Sequence, residues 1–382
     1  MKKSPLIFSF FSGAGFLDLG FEKTGFEIAL VNECHKPFLD AYMHARKVMG
    51  LKKPSLGYYP CSIEKFLAGA PSHVLRKNIA EARKAGRITG FVGGPPCPDF
   101  SIGGKNKGRK GPNGKLSEVY VDLIAKHCPD FFVFENVKGL WHTKRHRKFY
   151  DSLKNKLAAA GYTLEDRLSN AIEFGVPQDR ERILLFGTLN LQCKKLPALD
   201  FEKVLSHSKE TAFNCPWPAK MPFSPKSRKK PPSAIPLRLT VEHWFQKNNV
   251  DSHPNAKHCF KPRAGLKKFK SIAEGDSSRK SFKRLHRWKY SPTACYGNNE
   301  VHLHPYLPRR INVAEALAIQ SLPREFELPQ DMTLSNMFKT VGNGVPYLMA
   351  KGLAEAVYRF LEQADEKTDS KQFGERHSRA AA

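Results

Sequence analysis

The chain has 382 residues, 41% of them hydrophobic, and a formal net charge of +27. That length exceeds a single compact core, so two domains are expected, and no apolar run approaches the roughly 18 residues needed to span a membrane. Eight cysteines without a C-x-x-C pair argue against a zinc ribbon or a disulfide framework and for a reducing compartment, while the charge excess points to a polyanionic partner.

The basic Met1-Lys2-Lys3 is followed by Leu6–Phe11, too short for a leader's apolar region and read as a strand. Further strands are expected at Glu27–Asn32, Ile88–Val92, Phe131–Glu135, Thr163–Leu168 and Arg182–Gly187. Helical spacing marks Phe16–Lys23, Lys36–Met49, Leu116–His127 and Arg147–Ala160. This alternation predicts an α/β domain: a mostly parallel, twisted sheet with helices on both faces. Its active residues should gather beyond the carboxyl ends of the strands.

Four segments at those ends carry chemistry. Phe11-Ser12-Gly13-Ala14-Gly15 is a glycine-rich strand-to-helix turn that lets a nucleotide-like ligand approach the backbone. Glu33 ends the second strand, where a carboxylate either binds ribose hydroxyls or is an ordinary surface acid. Gly93-Gly94-Pro95-Pro96-Cys97-Pro98-Asp99-Phe100-Ser101 holds a thiol between glycines that permit a sharp turn and prolines that stiffen it. Cys97 there is either a positioned nucleophile or a small buried hydrophobe. Glu135, at the end of a buried strand, should be desolvated with a raised pKa, fit either to donate a proton near neutrality or to cap a helix. Arg180 and Arg182, two apart, project to one side of an extended segment and could orient a carboxylate, a base or a phosphate.

From about 191 to 304 the chain is rich in Pro, Ser, Lys and Arg. Between Lys220 and Lys289 it holds 19 Lys/Arg against 4 Asp/Glu, so over half of the excess charge sits in under a fifth of the length. Trp217, Trp244 and Trp288 lie here, and such side chains need a core, so this is read as a second, irregular domain. His253, His258 and Cys259 are close in sequence but lack a second regularly spaced ligand pair, and no metal is assigned. Helical order returns with a capping box at Asn312 and Glu315, running to about Gln320. A last helix spans about Val345 to Gln363, with Pro346 in its first turn. Residues 364–382 are polar and expected to fray.

Taken in order, these segments resemble the cytosine C5 DNA methyltransferase family. The Phe11–Gly15 turn is similar to its S-adenosylmethionine signature, and Gly93–Ser101 to its Pro-Cys loop. Ile102–Gly108 resembles the mobile catalytic loop, Glu135-Asn136-Val137 the Glu-Asn-Val element, and Gln178–Arg182 the Q-x-R-x-R element. Arg310–Glu315 resembles the helix supporting the recognition domain, and Gly342–Pro346 the closing element of the cofactor pocket. The resemblance covers about 1–190 and 305–362. It implies a Rossmann-like catalytic domain at 1–190, a smaller basic recognition domain at 191–304, and a return to the catalytic domain at 305–363.

It also implies roles. Cys97 would attack C6 of a flipped cytosine, Glu135 would hold N3, Arg182 would sit on O2, and Arg180 would support the loop or the DNA backbone. S-adenosylmethionine would meet Phe11, Ser12, Gly13, Gly15, Phe16, Leu17, Glu33, Ser62, Ile63, Pro95, Asn343 and Val345. Duplex DNA would meet Ser101, Gly103, Lys105, Lys107 and Arg109 in the loop, and Lys229, Lys230, Arg263, Lys267, Lys268, Arg284 and Arg287 in the basic segment. The implied protein is a cytoplasmic monomer without a membrane anchor, from a restriction–modification pair with a cognate endonuclease, or a solitary or phage enzyme. A tRNA methyltransferase and a non-catalytic DNA-binding protein are the alternatives, though the RNA-directed branch's Cys-Phe-Thr signature is missing. Four positions depart from the family pattern: Ser9 and Ser62 stand where Asp is usual, and Pro98 and Thr340 where Gln is usual. Asp18 or Glu64 could supply the missing carboxylates.

Overall fold

The computed structural model describes residues 3–96, 112–189, 197–225, 230–279, 281–294, 296 and 301–380; of residues 112, 113, 263 and 365–380 it describes the backbone alone. Seven strands form one sheet: β1 (Leu6–Phe10), β2 (Glu27–Asn32), β3 (Tyr58–Tyr59), β4 (Thr89–Gly93), β5 (Phe131–Val137), β6 (Tyr162–Asn170) and β7 (Glu181–Leu189). Their order is β3-β2-β1-β4-β5-β7-β6. The β1–β2, β1–β4, β2–β3 and β4–β5 pairs are parallel, and β7 runs antiparallel to both β5 and β6. The expected α/β class and mostly parallel sheet are therefore present. The chain moves outward from β1 on one side and returns to its other side with β4, so a crevice opens beyond the adjacent carboxyl ends of β1 and β4.

Strand periodicity sorts the core. Ile7, Val92, Phe131, Val133, Leu184 and Phe186 face one layer, against Leu17 and Phe21 and the last helix's Met349, Leu353, Val357 and Phe360. Phe8, Phe10, Phe91, Phe132, Phe134, Ile183 and Leu185 face the other. There they meet the helices Ala70–Lys84, Pro112–His127 and Lys144–Ala159. The first of these helices was not expected from sequence; its buried stripe is only Ser72, Leu75, Ile79 and Ala82. Also unexpected was Leu334–Asn343, capped by Thr333 and buried through Met337, Phe338 and Val341.

Among the described residues, the basic segment adds no strand to the sheet. Its aromatics pack as expected: Trp244, Phe245 and Tyr296 join Phe16, Leu19, Ile311, Leu317 and Phe338 in a third core shared with the catalytic domain. Trp217 packs with Phe213 and Tyr290 in a smaller cluster. The capping box at Asn312 and Glu315 is formed, and the helix it opens, Val313–Ile319, is wholly buried. The final helix, Tyr347–Ala380, runs well beyond the expected end near Gln363.

Two arginines assigned to DNA from sequence belong instead to the interior. Arg284 is fully buried. Its guanidinium donates to the carbonyls of Ile272 (2.9 Å), Leu307 (3.1 Å), His304 and Phe269 and lies over the Phe223 ring. Burial lowers its pKa to about 10. Arg287 makes a buried pair with Glu274 (2.8 and 2.9 Å) and covers the Tyr306 ring. An irregular fold leaves carbonyls without ladder partners, and one guanidinium with five donors satisfies several together.

Helix Phe16–Glu22 touches the final helix at Gly20, where an added Cβ would lie 2.6 Å from the Ala350 carbonyl carbon and 2.7 Å from the Lys351 nitrogen. Backbone cannot yield as a flexible side chain can. Gly20→Ala should therefore destabilise by about 1–3 kcal/mol despite its better helix propensity, seen as a lower urea midpoint at unchanged m-value; an unchanged or higher midpoint would show that the contact is not tight.

Candidate active site

The turn after β1 is built from backbone that ordinary residues avoid: Phe11, Gly13 and Gly15 have φ of 53°, 55° and 84°. Nothing lies within 4 Å of a Cβ added at Gly13, so this side of the turn is open. A Cβ at Gly15 would strike the Tyr42 ring at 2.5 Å. Glu33 ties the turn to β2: Gly13 N–H donates to one carboxylate oxygen (2.9 Å) and His35 N–H to the other (2.8 Å). Burial raises its pKa, and these N–H donors oppose the rise. Each oxygen keeps a lone pair for a hydroxyl. Asn32 donates to the Tyr59 and Cys61 carbonyls (2.9 and 2.8 Å), holding the strand-end segment that leads to Ser62 and the buried Ile63.

The departures at Ser9 and Ser62 each come with a neighbouring acid. Ser9 Oγ donates to Asp18 Oδ1 (2.7 Å) and Tyr42 Oη to Asp18 Oδ2 (2.8 Å), all three residues being buried. A carboxylate thus lies under the turn from the helix side rather than from β1. Ser62 Oγ donates to Glu64 Oε2 (3.1 Å) at the exposed rim. Near Thr340, Gln320 supplies an amide to the Val341 carbonyl (2.5 Å). Gly344 meets Phe16 so closely that a Cβ would lie 2.1 Å from the ring, which sets the closing element against the helix that follows the Phe11–Gly15 turn, while the Asn343 side chain stays exposed.

Across the crevice, Glu135 is buried near the end of β5 and accepts from Arg182 Nε on the adjacent β7 (2.9 Å). Burial raises its pKa, against the opposing pull of Arg182 and Arg180. The Pro-Cys loop leaves β4 directly against this acid: a Cβ at Gly94 would lie 2.6 Å from Glu135 Oε2. Asn136 Nδ2 donates to the carbonyl of the buried Pro95 (3.4 Å). Cys97 itself lies outside the described residues, as do Ser101, Gly103, Lys105, Lys107, Arg109, Lys229 and the side chain of Arg263. Lys230, Lys267 and Lys268 are exposed.

Arg180 is buried, and its contacts are internal. It donates to the carbonyls of Ala294 (2.9 Å), Gly342 (2.6 Å) and Gly344 (3.1 Å). Gln178 accepts from Ala294 N–H (3.0 Å) and donates to Gln320 (3.1 Å). One loop therefore clamps the basic segment and the closing element onto the end of β7. Tyr42, Asn32 and Gln320 escaped the sequence reading as partners because each acts through a contact distant in sequence, whereas Asp18 was named there as a compensating acid. A cavity of about 370 Å³ lined by Ser72, His73, Arg76, Arg83 and His127 among others contains none of these groups and lies off the crevice.

Burial raises Asp18 from 3.8 to about 6, against the pull of Ser9 and Tyr42. The folded chain therefore holds this proton more tightly than the unfolded chain, and stability falls as pH rises through that window. Relative to Asp18→Asn, the wild type should lose up to about 3 kcal/mol of unfolding free energy between about pH 4 and pH 6.5. Urea melts of both proteins across this range test it, and parallel curves would refute it.

The model for C-5 cytosine-specific DNA methylase matches residues 6–359. The chain is 57% identical over 367 residues to the type II methyltransferase M.NmeDI of Neisseria meningitidis serogroup C, covering 96% of this chain and 86% of that one. It is 28% identical over 382 residues to the type II methyltransferase M.FnuDI of Fusobacterium nucleatum, covering 92% and 94%. Among solved structures, the fold is similar to a prophage-encoded protein of E. coli (TM-score 0.65, 20% identity, 94% and 100% covered). It is also similar to the S. pombe Dnmt2 methyltransferase (TM-score 0.60, 12% identity, 94% and 99% covered). With this match spanning both sides of the crevice, the chain belongs to the C-5 cytosine-specific DNA methylase family and is a DNA (cytosine-5-)-methyltransferase.

Proposed function

We propose that the protein is the modification enzyme of a type II restriction–modification system and methylates C5 of a cytosine within a specific duplex sequence. The observation that carries the chemistry is Glu135, buried, paired to Arg182 and pressed against the start of the Pro-Cys loop. The name of the 57%-identical relative supports the biological setting, with a cognate endonuclease as partner. No helix among the described residues is long and apolar enough to cross a membrane.

C5 and C6 of a stacked cytosine are out of reach, so the base must leave the duplex. The Cys97 thiolate then bonds to C6, and the C5–C6 electron pair moves onto C5. Glu135, its pKa raised by burial, donates a proton toward N3 and stabilises the enamine, while Arg182 holds the carboxyl group and faces O2. Bound S-adenosylmethionine would supply an electrophilic methyl group. The open backbone at Gly13, the Glu33 carboxylate, and the Phe16 and Val345 surface suit its nucleoside and would hold it, with Phe11, Ser12, Gly15, Leu17, Ser62, Ile63, Pro95 and Asn343 around them. Loss of the C5 proton and expulsion of the Cys97 thiolate restore the ring. Arg180 acts as a positioning residue, and the exposed Lys230, Lys267 and Lys268 suit phosphate contacts.

With labelled S-adenosylmethionine and mixed-sequence genomic DNA, label should enter 5-methylcytosine. Cys97→Ala should abolish transfer, and Glu135→Gln should lower kcat by about 10²–10⁴-fold with DNA affinity retained. Label entering tRNA but no DNA, or full activity in Cys97→Ala, would refute the proposal.

A further inference from the structure

Beyond β5 the chain leaves the sheet's carboxyl edge through Lys138, the short helix Gly139–His142 and the helix Lys144–Ala159. This segment begins three residues after Glu135. From 138 to 150 it contains Lys138, Lys144, Arg145, Arg147 and Lys148 and no acidic residue. Two of the five cations are engaged within the fold. Lys138 pairs with Glu181 (2.9 Å), and Arg147 pairs with Asp151 (3.0 Å) while lying over the Trp141 ring at 4.2 Å. Lys144, Arg145 and Lys148 are exposed and have no carboxylate partner among the described residues.

These three charges repel one another, and they crowd the helix end where the backbone dipole is also positive and disfavours cations. No acid in the first turn offsets them. The segment under them is nonetheless rigidly seated: His146, Phe149 and Tyr150 are buried, and the Trp141–Arg147 stack fixes the turn. A surface that concentrates such positive charge on a fixed platform, joined directly to the carboxyl end of β5 and tied by Lys138 to Glu181 at the start of β7, is complementary to a polyanion.

Resting on the DNA methyltransferase reading, we propose that Lys144, Arg145 and Lys148 form a phosphate-binding rim of the catalytic domain. The rim grips the duplex backbone next to the extruded base, separately from the basic recognition segment. Backbone contacts of this kind set affinity and register without reading sequence.

The test uses the full-length triple variant Lys144→Ala/Arg145→Ala/Lys148→Ala, whose alanines preserve helix propensity. Binding of a labelled mixed-sequence duplex is measured across a salt series. The slope of log K against log salt should become shallower by about 2–3, since each lost phosphate contact removes about 0.9. The set of sites methylated in genomic DNA and the cofactor affinity should match wild type, and the melting temperature should equal or exceed it, because the repulsion at the helix end is removed. A slope and affinity equal to wild type would overturn the rim, and so would an altered set of methylated sites. A wild type that binds no duplex and methylates no DNA would instead overturn the reading on which the rim rests.

Discussion

Everything at the crevice follows from β1 pairing with β2 on one side and β4 on the other. In a parallel sheet each strand must be followed by a crossover, and where the order reverses, the two crossovers leave in opposite directions. The turn at Phe11–Gly15 and the loop at Gly94–Pro96 begin at strand ends in register, Phe10 opposite Gly93. β5 and β7 then bring Glu135 and Arg182 to the same edge, with Val137 opposite Arg182. The antiparallel insertion of β7 matters here, because it lets a residue near the beginning of one strand meet a residue near the end of another.

The protein places charge inside wherever irregular backbone or chemistry requires it. Glu135 and Arg182 are a buried pair: desolvation raises the pKa of the acid, and the guanidinium beside it opposes the rise. Asp18 is a supporting acid, fixed between Ser9 and Tyr42 beneath the Phe11–Gly15 turn. Arg180, Arg284 and Arg287 are frame: their donors saturate carbonyls or a buried carboxylate where no sheet or helix does so. Removing one partner of such a group leaves the rest uncompensated in low dielectric, which is why each is satisfied by several contacts.

Charge counting along the chain was a poor guide to which cations face outward. Arg284 and Arg287 lie in the densest basic stretch, yet they are interior; Lys144, Arg145 and Lys148 lie in a segment read only as a helix, yet they are exposed and unpaired by carboxylates among the described residues. In the basic segment Trp244, Phe245 and Tyr296 share a core with Phe16 and Leu317, so this segment packs directly on the residues around the first helix.

By itself, the sequence determined the α/β class, six strands of the main sheet to within two residues at either end, the capping box at Asn312 and the ordered set of strand-end segments. These depend on short-range periodicity and on glycine and proline stereochemistry, which a linear reading carries. It left out the two-residue β3 and the helix Ala70–Lys84, whose local signals are weak and whose stability comes from packing. Only the tertiary structure decided that Asp18 lies under the turn beside Ser9, that Gly94 makes room for Glu135, and that Arg180 joins residues 294, 342 and 344. Those contacts join residues from nine to more than a hundred positions apart, and their energies arise from burial and geometry that exist only once the chain has closed on itself.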